Sequence, residues 1–221
     1  MDKKIYYFEL SHVIESGMIT YRGLPGPVIS DHLSRESSRS HYAEGTEFYI
    51  GKIEMVANTG TYLDTPFHRY ADGKDLSEVS LQSLANLEGL VIRIGAHERA
   101  IGKVSFENLS LEGKAVLIHT GWDVHWRTGK YFEGHPYLTV DAVRYLIDSR
   151  IAAVGIDSLN IDSTQDPTRP AHSLFLAAGI PIVEHLTNLQ SLPDAGFRFF
   201  AVPPLVKGLG TFPVRAFALL E

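Results

Sequence analysis

The chain has 221 residues, enough to bury a substantial core without disulfide or metal staples. It is 44% hydrophobic and 21% charged, ordinary for a globular protein, and its net charge of −6 comes without any dense Lys/Arg run, which excludes an electrostatic nucleic-acid surface. Cysteine is absent, so disulfides and thiolate ligands are ruled out and any metal must be held by His, Asp or Glu.

The opening Met1-Asp2-Lys3-Lys4-Ile5-Tyr6-Tyr7-Phe8 lacks the apolar core and small-residue cleavage site of a signal peptide. No apolar run approaches the length of about 18 residues that a membrane span needs, so a cytoplasmic location is expected. Residues 5–10 have strand character. Residues 17–27, punctuated by Gly23, Pro25, Gly26 and Pro27, read as a long surface loop. The Ser-rich stretch around Arg35 and Arg39 reads as a solvated loop. Residues 48–56 alternate imperfectly and predict a strand that feeds into residues 58–68. Compact apolar runs at 90–94 and 115–119 predict buried strands, with a short helix or turn at 105–109 between them.

The clearest amphipathic helix is expected over 139–150, with Thr139 as N-cap and Asp141 in the first turn. Strand 151–156 follows, then a short helix over 173–178 ended by Gly179, then strand 180–184. Runs at 197–202 and 214–220 complete the set. The mixture predicts a single α/β domain spanning 1–221.

Three clusters carry the chemistry. In an extended Asp64-Thr65-Pro66-Phe67-His68, the carboxylate and the imidazole fall on one side and can share a metal or a proton. Taken alone, a turn-bound Asp and a surface His explain the same residues. The second cluster, Asp157-Ser158-Leu159-Asn160-Ile161-Asp162, ends a buried strand with polar groups that suit either a site or a turn. The third joins His172, at the opening of a helix, to Glu184, at the end of the next strand, where a buried carboxylate needs a cation or donors. Ser158 and Ser173 lack the Gly-x-Ser-x-Gly elbow of a serine hydrolase. Trp122 and Trp126 offer apolar wall for a pocket.

Together these segments resemble the metal-dependent cyclase/hydrolase family that includes bacterial kynurenine formamidase and isatin hydrolase. The family motif His-x-Gly-Thr-His-x-Asp-x-Pro-x-His is matched by Asn58-Thr59-Gly60-Thr61-Tyr62-Leu63-Asp64-Thr65-Pro66-Phe67-His68. Thr120-Gly121-Trp122 with His135-Pro136, and Gly155-Ile156-Asp157 through Asp162, His172 and Glu184, continue it. Leu10-Ser11-His12 and Tyr21-Arg22-Gly23 also fit. The resemblance implies a swivelling β/β/α-type fold with a mixed central sheet and hydrolysis of a small cyclic or aryl amide by metal-activated water. It implies that Asp64, His172 and Glu184 hold metal, that His68 is the general acid/base, and that Tyr21 packs against the substrate. It also implies a homo-oligomer.

Two expected ligands are replaced, by Asn58 and Tyr62. An amide is a weak zinc ligand, and a phenol must first lose a proton from a group that titrates near 10. The first metal position is therefore expected to be damaged, leaving one divalent ion, Zn²⁺ or Mn²⁺, on Asp64, His172 and Glu184. Asn58, Tyr21 and Trp122 are expected to contact substrate. Two further readings stay open: a metal-independent hydrolase, lyase or cyclase using His68, Tyr62 and Asp64, and an inactive small-molecule-binding protein.

Overall fold

The computed structural model describes residues 4–221; residues 1–3, the start of the segment read against a signal peptide, lie outside them. Its centre is four parallel strands: β5 (Leu87–Arg93), β7 (Ala115–His119), β9 (Ala153–Ile156) and β10 (Ile182–Glu184). Antiparallel strands extend both sides. On the β5 side come β11 (Ala195–Phe200), β13 (Phe217–Leu220) and β1 (Tyr6–Glu9); on the β10 side come β4 (Tyr62–Asp64) and β12 (Thr211–Pro213). The result is a nine-stranded mixed sheet, in keeping with the expected α/β class.

The strand at 115–119 shows why its apolar run is unbroken. Ala115 and Leu117 face one core with Leu63, Val183 and Phe197, whereas Val116 and Ile118 face a second with Phe106, Leu146 and Phe175. A parallel strand covered on both faces has no solvent side on which to place polar residues. The second core is closed by α2 (Val140–Asp148) and α3 (Pro170–Ala177), which bury Ala142, Val143 and Leu146, and Ala171, Phe175 and Leu176.

Thr139 flanks α2 as expected but makes no side-chain cap; its hydroxyl lies 3.0 Å from Ile101 O and 2.5 Å from Asp141 Oδ1. The third helix starts three residues earlier than its apolar spacing suggests, because Pro170 suits a first helical turn and a distant carboxylate, Asp162, caps it.

The strand expected at 48–56 is present as β3 (Ile50–Glu54), outside the main sheet. It pairs with β2 (Val28–Leu33), for which the sequence carried no clear signal, and between them runs a one-turn helix, α1 (Arg35–Ser38), in the stretch read as a loop. This ribbon is exposed along nearly its whole length, including Val28, Ile29, Ile50 and Ile53. A further small pair joins β6 (Ala100–Ile101) to β8 (Tyr137–Leu138). No helix among the described residues is long and apolar enough to cross a membrane.

Candidate active site

Strand register assembles the site. Tyr62 and Asp64 lie two residues apart on β4 and therefore share a face. Glu184 stands directly across from Tyr62 on β10, and Thr211 directly across from Asp64 on β12. The extended run to residue 68 is not observed. Instead Pro66–His68 forms one 3-10 turn, because Pro66 begins it well and cannot donate to a sheet ladder. That turn carries His68 back toward the strand, with Nδ1 3.7 Å from Asp64 Oδ1. Gly210 makes the return feasible: a Cβ there would lie 2.1 Å from the His68 backbone nitrogen, so only glycine fits.

The protons can be assigned by counting donors. Asp64 is fully buried and its Oδ1 accepts from the Thr211 hydroxyl. That hydroxyl has a single proton, so His68 Nδ1, 2.8 Å from the same oxygen, must donate to it, and in the neutral ring the lone pair is then on Nε2. Asp162 likewise accepts from the Ala171 and His172 amides and, at 2.7 Å, from His172 Nδ1. The free nitrogen, His172 Nε2, then sits 3.6 Å from Asp64 Oδ2 and 3.6 Å from Glu184 Oε1. Glu184 also accepts from the Ile161 amide and the Tyr62 hydroxyl, both at 2.7 Å, and from Asn160 Nδ2 at 3.3 Å.

Burial and charge set the protonation states. Burial works against the Asp64 charge, but His172, His68 and Thr211 outweigh it and hold the carboxyl below its usual range. Burial lifts Glu184 to about 7, opposed by His172 and aided by Asp64. Burial also disfavours the His172 imidazolium, yet Glu184, Asp162 and Asp64 raise its pKa well above the ordinary value. Tyr62 is pushed well above 10 by burial and then by Glu184 and Asp64, so it remains a neutral phenol.

This donor set fits a divalent cation. Asp64 Oδ2 is buried and has no hydrogen-bond partner; the charge facing it is that of the His172 ring, 3.6 Å away at Nε2, whose proton a divalent ion would replace. Ligand atoms around a tetrahedral ion with bonds near 2.0–2.2 Å lie roughly 3.3–3.6 Å apart, the spacing His172 Nε2 keeps from both carboxylates. Among the described residues, the group that presents one ligand atom each with all of them within 4.8 Å of one another is Asp64, His68 and His172; Glu184 is not in that group. His68 differs in being 35% exposed at its side chain, whereas Asp64 and Glu184 are fully buried.

A cavity of about 540 Å³ opens onto these groups, with Tyr62, His68, His172 and Glu184 at its base and Tyr21 and Asn58 in its wall. Trp122 is not brought to it. Its indole donates to Tyr131 O at 2.9 Å and Lys130 lies over its ring, so this tryptophan is a packing residue beside the site. Trp126 stacks on His12 instead, with centroids 4.0 Å apart.

The cyclase family model matches residues 8–163. The chain belongs to the cyclase family. Among its cyclase relatives, kynurenine formamidase of Bacillus mycoides (strain KBAB4) is 30% identical over 168 residues, covering 76% of this chain and 78% of that protein. Among solved structures, isatin hydrolase A from Labrenzia aggregata superposes with a TM-score of 0.82 at 21% identity, over 98% of this chain and 94% of that one. A potential metal-dependent hydrolase with cyclase activity gives 0.81 at 24% identity over 99% of both chains. These likenesses agree with the cyclase fold expected from the motifs.

Thr211 and Arg169 are not singled out by the sequence, and Asn160 enters it only as a member of the second cluster. Thr211 sits on a three-residue strand amid Gly208, Gly210 and Pro213, where no alternation can develop. Asn160 and Arg169 lie in the Asp- and Pro-rich passage between β9 and α3, and only their shared contact reveals them.

Behind the site, burial drives the His12 pKa down to about 4, against a small opposing pull from Asp123. Its folded-state value is below the unfolded 6.5, so the unfolded chain takes up the proton first as pH falls. Stability is therefore lost between about pH 6.5 and 4, by roughly 3 kcal/mol in all. His12→Phe, which keeps a ring against Trp126, is expected to be spared that loss. Denaturant unfolding at pH 7 and 4.5 should show the variant gaining on the parent; equal pH slopes would refute it.

Proposed function

We propose that this protein hydrolyses small aryl or cyclic amides with one bound divalent ion, Asp64, His172 and Glu184 being the ligands and His68 the proton carrier. The observation that carries the reading is the buried Asp64 Oδ2, without a hydrogen-bond partner, facing His172 Nε2 at 3.6 Å on a ring that Asp162 orients through Nδ1. The relatives named for kynurenine formamide and isatin hydrolysis support the substrate class. Held by Asp64, His172 and Glu184, an ion of the zinc or manganese type would supply Lewis acidity toward a carbonyl or a water.

The chain's own groups do the rest. The Asp64–Thr211–His68 relay keeps the Nδ1 proton of His68 on the Thr211 oxygen, so that the neutral ring takes a proton from water at Nε2 as the water oxygen bonds to the amide carbon. The C–N bond then breaks, and the same nitrogen returns the proton to the departing amine. Asp162 fixes the His172 ring, as an outer carboxylate commonly does for a liganding histidine. The metal-free alternative needs Tyr62 as oxyanion donor, but its hydroxyl is committed to Glu184.

Protein purified without added metal should contain close to one divalent ion per chain by elemental analysis and should turn over formanilide or isatin. Chelation should abolish that turnover, and Zn²⁺ or Mn²⁺ should restore it. Absence of any ion at micromolar concentration, or activity indifferent to the chelator, would sink the reading.

We also infer a cytoplasmic homo-oligomer. An isolated two-stranded ribbon is marginally stable in water, and the β2–β3 ribbon exposes Val28, Ile29, Ile50 and Ile53. A second copy of the chain is the proposed cover. Sedimentation at micromolar concentration should give a dimer or larger, and a monomer would remove the proposal.

A further inference from the structure

Three guanidinium groups line the same cavity: Arg22, Arg69 and Arg169. They converge there in a chain whose net charge is −6. Arg22 is neutralised by Glu133 at 3.0 Å. Neither Arg69 nor Arg169 has a carboxylate within 4.0 Å among the described residues.

Arg169 is the more committed of the two. It is half-buried, and its backbone adopts φ 48°, a left-handed conformation that residues with a side chain rarely take, at the foot of α3 just before His172. Its Nη1 donates to Asn160 Oδ1 and its Nη2 to the Tyr21 hydroxyl, each at 3.2 Å. Both hydrogen-bond partners are neutral, and the carboxylate that acts on the guanidinium, Asp166, does so from beyond 4.0 Å. Asp166, three residues earlier, spends its carboxylate on the Thr168 amide and hydroxyl. Asn160 reaches from Arg169 to Glu184 Oε2 at 3.3 Å, so the guanidinium stands one side chain away from a proposed metal ligand. Arg69 adds a second charge, lying over Tyr70 with Nε 3.3 Å from Ser173 Oγ.

A planar guanidinium with spare donors lining a cavity matches a carboxylate in charge and geometry. The cavity offers nothing equivalent to an ammonium. Its one acidic lining residue is Glu184, whose oxygens already accept three hydrogen bonds.

We infer that Arg169, assisted by Arg69, is the specificity-determining residue that binds a carboxylate on the substrate, so that the preferred substrate is a monoanionic aryl amide. Neutral and zwitterionic amides are the poorer substrates. This deepens the amide-hydrolase reading and rests on it for the identity of the reaction.

The test compares probes that differ only in the carboxylate. Calorimetry on the purified protein should show benzoate binding at least about tenfold more tightly than benzamide, and Arg169→Gln should bring that ratio close to one. In turnover, kcat/KM for 2-formamidobenzoate relative to formanilide should fall about 10–100-fold in Arg169→Gln, chiefly through KM. Arg69→Gln should give a smaller fall in the same direction, and unchanged circular dichroism should confirm that both variants fold. Equal binding of benzoate and benzamide by the parent would overturn the assignment. So would a benzoate preference that survives Arg169→Gln, since the carboxylate would then be held elsewhere, as on an ion. If the parent hydrolyses neither amide, the hydrolase reading fails, while the benzoate preference still decides the role of Arg169.

Discussion

Asp64→Asn is expected to leave the protein folded, strip it of its divalent ion and cut amide hydrolysis by about a thousandfold or more, which corresponds to roughly 4 kcal/mol of lost transition-state stabilisation. The substitution is nearly isosteric, and the Thr211 hydroxyl that donates to Oδ1 can donate equally to an amide oxygen. What disappears is the charge at Oδ2, the buried atom with no partner of its own. Without it His172 and Glu184 remain, too few to hold an ion at micromolar concentration. His68→Gln makes the contrast. It removes the proton carrier but no ligand, so kcat/KM should fall about 10²–10⁴-fold with the ion still present. Elemental analysis of both variants beside their kinetics separates the roles. An ion retained in full by Asp64→Asn would show that the ligand set is wrong. An ion lost from His68→Gln would make His68 a ligand, as the 4.8 Å grouping with Asp64 and His172 permits.

How far the sequence discloses such a site depends on how local its causes are. The core strand at 115–119 is legible because burial on both faces leaves a continuous apolar run. The segment 58–68 is legible as chemistry because its residue types and spacing match a family motif, although its backbone is not what alternation predicts. There, Pro66 turns the chain and His68 reaches Asp64 through Thr211 rather than by lying on the same strand face. Thr211 itself is 147 positions away from Asp64, and only the β4–β12 register pairs them. The same holds for Tyr62 and Glu184, separated by 122 positions and joined by register. Trp122 illustrates the opposite case. An aromatic next to a motif reads as pocket wall, yet here it is drawn away by a bond to Tyr131 O. Arg169 is invisible because its significance is a charge with no carboxylate within 4.0 Å, which only the folded neighbourhood reveals.

The second large effect is a gain. Asn58→His combined with Tyr62→His is expected to raise the metal content from one ion per chain to two. Tyr62 blocks the second position in two ways. Its phenol is held neutral by burial and by the Glu184 and Asp64 charges, so it is no ligand. Its proton also occupies Glu184 Oε2. Replacing it with histidine frees that oxygen and sets an imidazole beside Asp64 on the same face of β4, while histidine at position 58 brings another from the cavity wall. Each single substitution supplies one new nitrogen and should fall short. The double variant should show a metal-dependent rise in thermal stability beyond the parent's, because an ion at a hundred times its dissociation constant adds about 2.7 kcal/mol. If the double variant still holds one ion, the second position has been lost to the surroundings as well as to two side chains. His185 is the group to examine in that case. Its buried ring, bonded to Tyr131 and 3.4 Å from the Tyr62 hydroxyl, packs behind Tyr62 and would restrict where a new imidazole can point.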